Sequence, residues 1–133
     1  MLEVSTNSKR LDLNMIHAFL RETSWAKDRS FEVTQKAIEN SFCFGLYFDS
    51  KQVGFARVVT DKVLFAYLFD VFILKEYRGR GWSKIFLEKI FQDSELKTVQ
   101  WMLRSTDAGA LYEKLGFKVL ASAQGLYIKS QVN

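Results

Sequence analysis

Glu76–Phe86 reads EYRGRGWSKIF. It follows the apolar run Val63–Leu74 (VLFAYLFDVFIL) and enters a segment whose apolar residues recur at helical spacing. Trp82, Ile85, Phe86, Ile90 and Phe91 share one side of that helix, with Ser83, Lys84, Glu88, Lys89 and Gln92 on the other. Gly79 and Gly81 therefore stand where a strand turns into a helix. Glycine there removes side chains and frees backbone N–H groups, with those of the first helical turn, to point at an anion. A glycine pair alone also fits a turn that uses glycine only for its geometry.

Two common phosphate patterns do not fit. A P-loop needs Gly-x-x-x-x-Gly-Lys-Ser/Thr, and no stretch has that spacing. A dinucleotide fingerprint needs a third glycine where GRGWSK places Lys84, and an acidic residue about 20 positions on that is missing here.

Upstream, Leu2–Thr6 reads as a short strand. Asp12 is a good helix N-cap, with Leu11 and Ile16 placed to staple across it. ETSWAKDRS (Glu22–Ser30) breaks the pattern as a loop, and Ser30 can cap a second helix with Val33, Ala37 and Ile38 facing inward. From Phe42 the period becomes two. Phe42, Phe44, Leu46 and Phe48 alternate, DSKQ turns the chain, Val53–Thr60 returns, and Asp61-Lys62 turns it again into Val63–Leu74. That last run is apolar on both faces, as a doubly covered strand should be. Thr98–Leu103 is the next strand. The step to it through a helix is a crossover, so these two strands should be parallel. Asp107 can cap a short helix carrying Ala108, Leu111, Tyr112 and Leu115; Gly116 ends it, and Phe117 folds back on its last turn. Phe117–Leu120 and Gly125–Lys129 would be terminal strands.

A chain of 133 residues with 48% hydrophobic residues, 12 of them Phe, supports a single domain over 1–133 with a real core. No apolar run is long enough to span a membrane, and the N-terminus has no secretory pattern. With Cys43 the only cysteine, a reducing cytoplasmic setting is expected. The formal charge of +4 suits an anionic ligand, but without a clustered basic stripe it does not suit nucleic acid. His17 is expected on an exposed helix flank with no role, and Cys43 as a small buried hydrophobe.

Arg78-Gly79-Arg80-Gly81-Trp82-Ser83 resembles the coenzyme A pyrophosphate loop of the GNAT superfamily of N-acetyltransferases, Gln/Arg-x-x-Gly-x-Gly/Ala. Arg78 takes the first position and Gly81 the central one, while Ser83 departs from the usual Gly or Ala. The resemblance extends over AYLFDVFILKEYRGRGWSKIFLEKI, and STDAGALYEKLGF is similar to the family's late helix with its tyrosine. It implies an α+β fold with a mixed sheet of about six to seven strands and about four helices. An antiparallel meander would lead into parallel, splayed central strands.

The resemblance also implies roles. Backbone of Val71, Phe72 and Ile73 would pair with pantetheine, and the loop from Arg78, Gly79, Arg80, Gly81 and Trp82 to Ser83 and Lys84 would hold the pyrophosphate. Acetyl-CoA would be the co-substrate, with no metal. Tyr112 would be the general acid for the thiolate. Asp70, the one carboxylate in an apolar strand, would act as a base, bind the acceptor's ammonium, or be a hydrogen-bonded structural acid. Trp25, Arg29 and Arg57 would face the acceptor, and Arg57 must pair with something, either an anionic acceptor group or Asp70. The implied activity is direct acetyl transfer to a primary amine, on a small molecule or a protein. The alternative is a non-catalytic GNAT-like module that binds coenzyme A or a partner. The acceptor's identity and the oligomeric state, a homodimer included, are not fixed by the sequence.

Overall fold

The computed structural model describes residues 1–120 and 125–129. Helices cover both faces of a mixed sheet. In chain order the elements are β1 (Leu2–Ser5), α1 (Leu13–Leu20), α2 (Phe31–Glu39), β2 (Phe42–Phe48), β3 (Lys51–Thr60), β4 (Phe65–Ile73), α3 (Trp82–Phe91), β5 (Gln100–Leu103) and α4 (Gly109–Lys114). Among the described residues the sheet has five strands in the order β1-β2-β3-β4-β5. The pairs β1–β2, β2–β3 and β3–β4 are antiparallel and β4–β5 is parallel, as the crossover requires.

Local chemistry sets the element ends. Asp12 caps α1 by accepting from the Met15 N–H, and Ser30 caps α2 by accepting from the Val33 N–H. The β2–β3 turn is tighter than DSKQ suggests. Asp49 and Ser50 both take positive φ, 49° and 73°, as a two-residue hairpin demands, so β3 starts at Lys51 rather than Val53. At the next turn the Asp61 carboxylate accepts from the N–H groups of Val63, Leu64 and Phe65, which holds that backbone off the ladder and delays β4 to Phe65.

Three other expectations change. On α2 the inward residues are Thr34 and Ile38, while Val33 is exposed. Thr34 can face inward because its hydroxyl is hydrogen-bonded to Nδ1 of His17, at 2.8 Å, which makes His17 half-buried rather than exposed. The α4 cap is Ala108, not Asp107. Phe117–Leu120 and Leu126–Lys129 form no strand, so the described sheet is one or two strands smaller than expected. Val119, Leu120, Tyr127 and Ile128 are exposed there, and alternation alone pairs no strand without a neighbour to cover it.

Two apolar clusters flank the sheet. Phe86, Leu87 and Ile90 of α3 pack on Phe44, Leu46, Val53, Val58, Ala66, Leu68 and Ile73, with Leu111 and Tyr112 of α4 and Leu115 at its end on the margin. On the opposite face Ile16, Leu20 and Ile38 pack on Cys43, Phe55 and Phe72. Among the described residues no helix is long and apolar enough to cross a membrane.

Candidate active site

β4 is where the sheet opens. Its pairing with β5 runs only from Phe65 to Leu68, whereas its pairing with β3 continues to Ile73. From Phe69 onward the β5-facing edge of β4 has no partner strand among the described residues. Val71, Phe72 and Ile73, expected to present backbone to pantetheine, lie in that stretch; the ladder turns the backbone of Phe72 toward Phe55 of β3 and that of Ile73 to the open edge.

Beside it the β3–β4 ladder slips. Phe55 pairs with Phe72 and Arg57 with Phe69, so Asp70 and Val71 together oppose Ala56. This is a β-bulge, and Asp70 carries it with φ of 55°, a conformation that aspartate tolerates better than most residues. The extra residue reverses the side-chain alternation. Ala66 and Leu68 face the α3 cluster before it, and Val71 and Ile73 face that cluster after it. Phe72 is thereby turned to the α1 side, where its ring stacks on Phe19 at 3.9 Å.

Asp70 is buried, with three side-chain donors on its two oxygens. Trp25 Nε1 donates to Oδ1 at 3.0 Å, Arg29 Nη1 to Oδ2 at 2.8 Å and Arg57 Nε to Oδ2 at 2.9 Å. Burial alone pushes the carboxyl pKa up. The hydrogen bonds from Arg29 and Arg57, with their charges, outweigh burial and hold it below the ordinary aspartate value. Arg57 also donates to Ser41 Oγ at 3.2 Å and lies over the Phe69 ring. The arginine expected to need a partner inside β3 has Asp70. Trp25 and Arg29 also reach Asp70, from the loop between α1 and α2, and line a cavity of about 400 Å³ there. Cys43 lies behind this group. Burial pushes its thiol up to about 12, which fits the inert hydrophobe expected of it.

At the end of β4 the chain turns into α3 through the glycine loop. Gly79 and Gly81 have φ of 79° and 77°, and a Cβ built on either would meet nothing within 4 Å. Gly81 is the N-cap of α3 and supplies no side chain, so no side-chain hydrogen bond caps the helix. Ser83 and Lys84 are exposed in its first turn. Arg78 differs from a simple phosphate cation, because its Nε donates to the Ile73 carbonyl at 2.9 Å and ties the loop to the end of β4. Arg80 lies over the rings of Trp82, at 5.0 Å, and Tyr77, at 5.3 Å.

Tyr112 sits in α4 and is half-buried. The helix ends on Gly116 with φ of 98°, and Phe117 N–H donates to the Tyr112 carbonyl at 3.0 Å. This six-to-one closure brings the Phe117 ring edge-on to Tyr112, at 5.8 Å. Burial, followed by the nearby Asp107 charge, raises the phenol pKa, so Tyr112 stays protonated at neutral pH. Val71 and Tyr112 pack on the same apolar cluster, whereas Asp70 holds residues of the opposite face.

The sequence points to Trp25, Arg29, Arg57 and Asp70, and offers Asp70 as a partner for Arg57, but does not join all four in one cluster. It missed Ser41 and Phe69, which hold Arg57, and Phe19, which holds Phe72. The signal for Phe19 is present in the sequence, as an aromatic beside the inward stripe of α1.

A model of the acetyltransferase (GNAT) domain matches residues 39–119, more than half of the chain. The chain belongs to the GNAT acetyltransferase family. A Gibberella zeae protein provisionally named an acetyltransferase is 33% identical to this GNAT chain, over 92% of it and 82% of the relative. A crystal structure of a provisionally assigned GNAT-family acetyltransferase from Xanthomonas campestris superposes with a TM-score of 0.92 and 40% identity, covering 98% of this chain and 93% of that one. The ribosomal-protein-S18-alanine N-acetyltransferase from Escherichia coli is 25% identical with a TM-score of 0.68, covering 89% of this chain and 78% of that one.

Proposed function

We propose that this GNAT chain is an acetyl-CoA-dependent N-acetyltransferase that moves the acetyl group directly to a primary amine. The observation that carries the reading is the continuity of one strand. The open edge of β4 runs into the Gly79–Gly81 loop, where α3 presents an uncapped N-terminus and two open glycines. An extended amide-bearing chain fits the edge, and a pyrophosphate fits the loop. These residues fit coenzyme A, whose bound acetyl thioester would supply an activated acyl carbon.

The chain's own residues would then act as follows. The open-edge backbone of residues 71–73 aligns pantetheine, with the N–H near Phe72 polarising the thioester oxygen. N–H groups from Arg80 to Lys84 hold the pyrophosphate, and Arg78 anchors the loop. The acceptor nitrogen bonds to the acetyl carbon as the carbon–sulfur bond breaks; nitrogen loses one proton and sulfur gains one. Tyr112, kept neutral by burial, donates to sulfur. A carboxyl held low by two arginines is a poor base for an amine whose own pKa is ~10.4. Of the roles open to Asp70, the structural anion is favoured. It fixes Trp25, Arg29 and Arg57 beside the transfer point.

Calorimetric titration with acetyl-CoA, followed by thiol release with a panel of amines, tests the reading. One-to-one binding and amine-dependent release are expected, whereas absence of binding overturns it.

A further inference from the structure

We propose that the acceptor amine carries an anionic group, a carboxylate in its simplest form, and that Arg29 binds that group. This rests on the N-acetyltransferase reading and adds the class of acceptor to it.

The distribution of charge around Asp70 carries the inference. One carboxylate serves two guanidinium groups, which leaves one positive charge in excess. Arg57 is committed. It spends Nε on Asp70 and Nη1 on Ser41, covers Phe69, and its side chain is only 12% exposed. Arg29 is not. Only its Nη1 has a protein partner among the described residues, and its side chain is 24% exposed. A guanidinium carries its donors in a rigid planar fork, so an Arg29 held on Asp70 by one nitrogen still presents a pre-oriented edge to solvent. The surplus charge and the unspent donors fall on the same residue.

Its position gives that edge a use. Arg29 lines the cavity of about 400 Å³ formed by the loop Ser24–Ser30 and Val33 of α2. It is also hydrogen-bonded to Asp70, which lies in the stretch of β4 that has no β5 partner among the described residues. Arg29 thus joins the cavity to the transfer point. Trp25 stands beside it, 58% exposed as a residue, while its one polar side-chain atom is tied to Asp70, so it offers an apolar wall for an acceptor's hydrocarbon. Lys27 and Asp28, on the same lining, cancel formally and leave Arg29's charge in place. Such a cavity repels an acceptor that brings only ammonium groups and holds one that brings a carboxylate, through a fork that matches carboxylate geometry. The carboxylate takes no part in the bond changes; it directs the amine.

The test uses the full chain with matched amines: 5-aminopentanoate, pentylamine and 1,5-diaminopentane, and an acidic tripeptide against its neutral counterpart. Acetyl transfer and calorimetric binding without acetyl-CoA are both measured. We expect the carboxylate-bearing member of at least one set to be preferred by about 10-fold or more in kcat/KM, carried by KM. The set that shows the preference distinguishes a small acid from an acidic peptide. Arg29→Gln should remove the preference, and Arg29→Lys should keep part of it. Equal use of the amines, or preference for the diamine, by the wild-type chain overturns the proposal while the transferase reading stands. A carboxylate preference in binding with no transfer of acetyl supports the anion site while the transferase reading falls. Preference unchanged in Arg29→Gln overturns the assignment to Arg29. Should that variant not fold, the wild-type comparison and Arg29→Lys decide the matter.

Discussion

Arg57 Nε donates to Asp70 Oδ2 at 2.9 Å across the point where the β3–β4 ladder slips by one residue. The ion pair and the bulge are one feature. Positive φ at Asp70 turns its carboxylate toward Arg57, and the arginines supply the counter-charge that a buried carboxylate needs.

Asp70→Ala removes the anion and leaves two arginines packed without it. Breaking a buried pair from one side costs about 3–5 kcal/mol, so the variant should melt far below wild type. Thermal unfolding followed by circular dichroism checks this, and a loss under about 1 kcal/mol would contradict the structural role.

The same cluster sets an acid limit. The folded pKa of Asp70 is depressed, so its stabilisation is fully present above the unfolded carboxylate value of ~3.9 and is lost as pH falls through the lower folded value. The wild-type melting temperature should therefore drop steeply below about pH 4. Asp70→Asn should show a lower plateau and a shallower acid limb. A shallow limb remains, because the Asp61 pKa is also lowered, by its bonds from backbone N–H groups.

Tyr112→Phe tests the proton donor. No protein partner holds the hydroxyl among the described residues, and the ring contact with Phe117 survives the change, so the fold should be unchanged. With the proton lost from the transfer step, kcat should fall about 10²–10⁴-fold with little change in acetyl-CoA binding. The raised phenol pKa puts the alkaline loss of activity in wild type above the ordinary tyrosine range. Stopped thiol release across pH measures both.

Gly81→Ala separates the loop from the rest. A methyl group at φ of 77° introduces backbone strain of roughly 1–2 kcal/mol, in space that is otherwise open. The chain should stay folded while acetyl-CoA affinity falls by about 10-fold or more, since strain there tilts the N–H groups meant for phosphate.

Tyr47→Phe should not destabilise. The Tyr47 hydroxyl is buried without a hydrogen-bond partner among the described residues. Removing it should be neutral or stabilising by up to about 1 kcal/mol, because an unsatisfied polar group is lost. Chemical denaturation gives the difference directly.

What the sequence determined by itself is local. Asp12 and Ser30 mark helix starts, and the alternation from Phe42 marks a strand. The Gly79–Gly81 pair marks a turn with open backbone, because capping, period and positive φ depend on neighbours in the chain. The site residues were individually legible too, since a carboxylate or arginine inside an apolar strand must have a partner. Tertiary structure decided who that partner is. Trp25, Arg29 and Arg57 lie 45, 41 and 13 residues from Asp70, and no local pattern links them. It also decided that Phe72 faces α1. The reason is the bulge at Asp70: one extra residue reverses which side of the sheet every later side chain meets. An apolar run that reads the same on both faces gives no sign of that reversal.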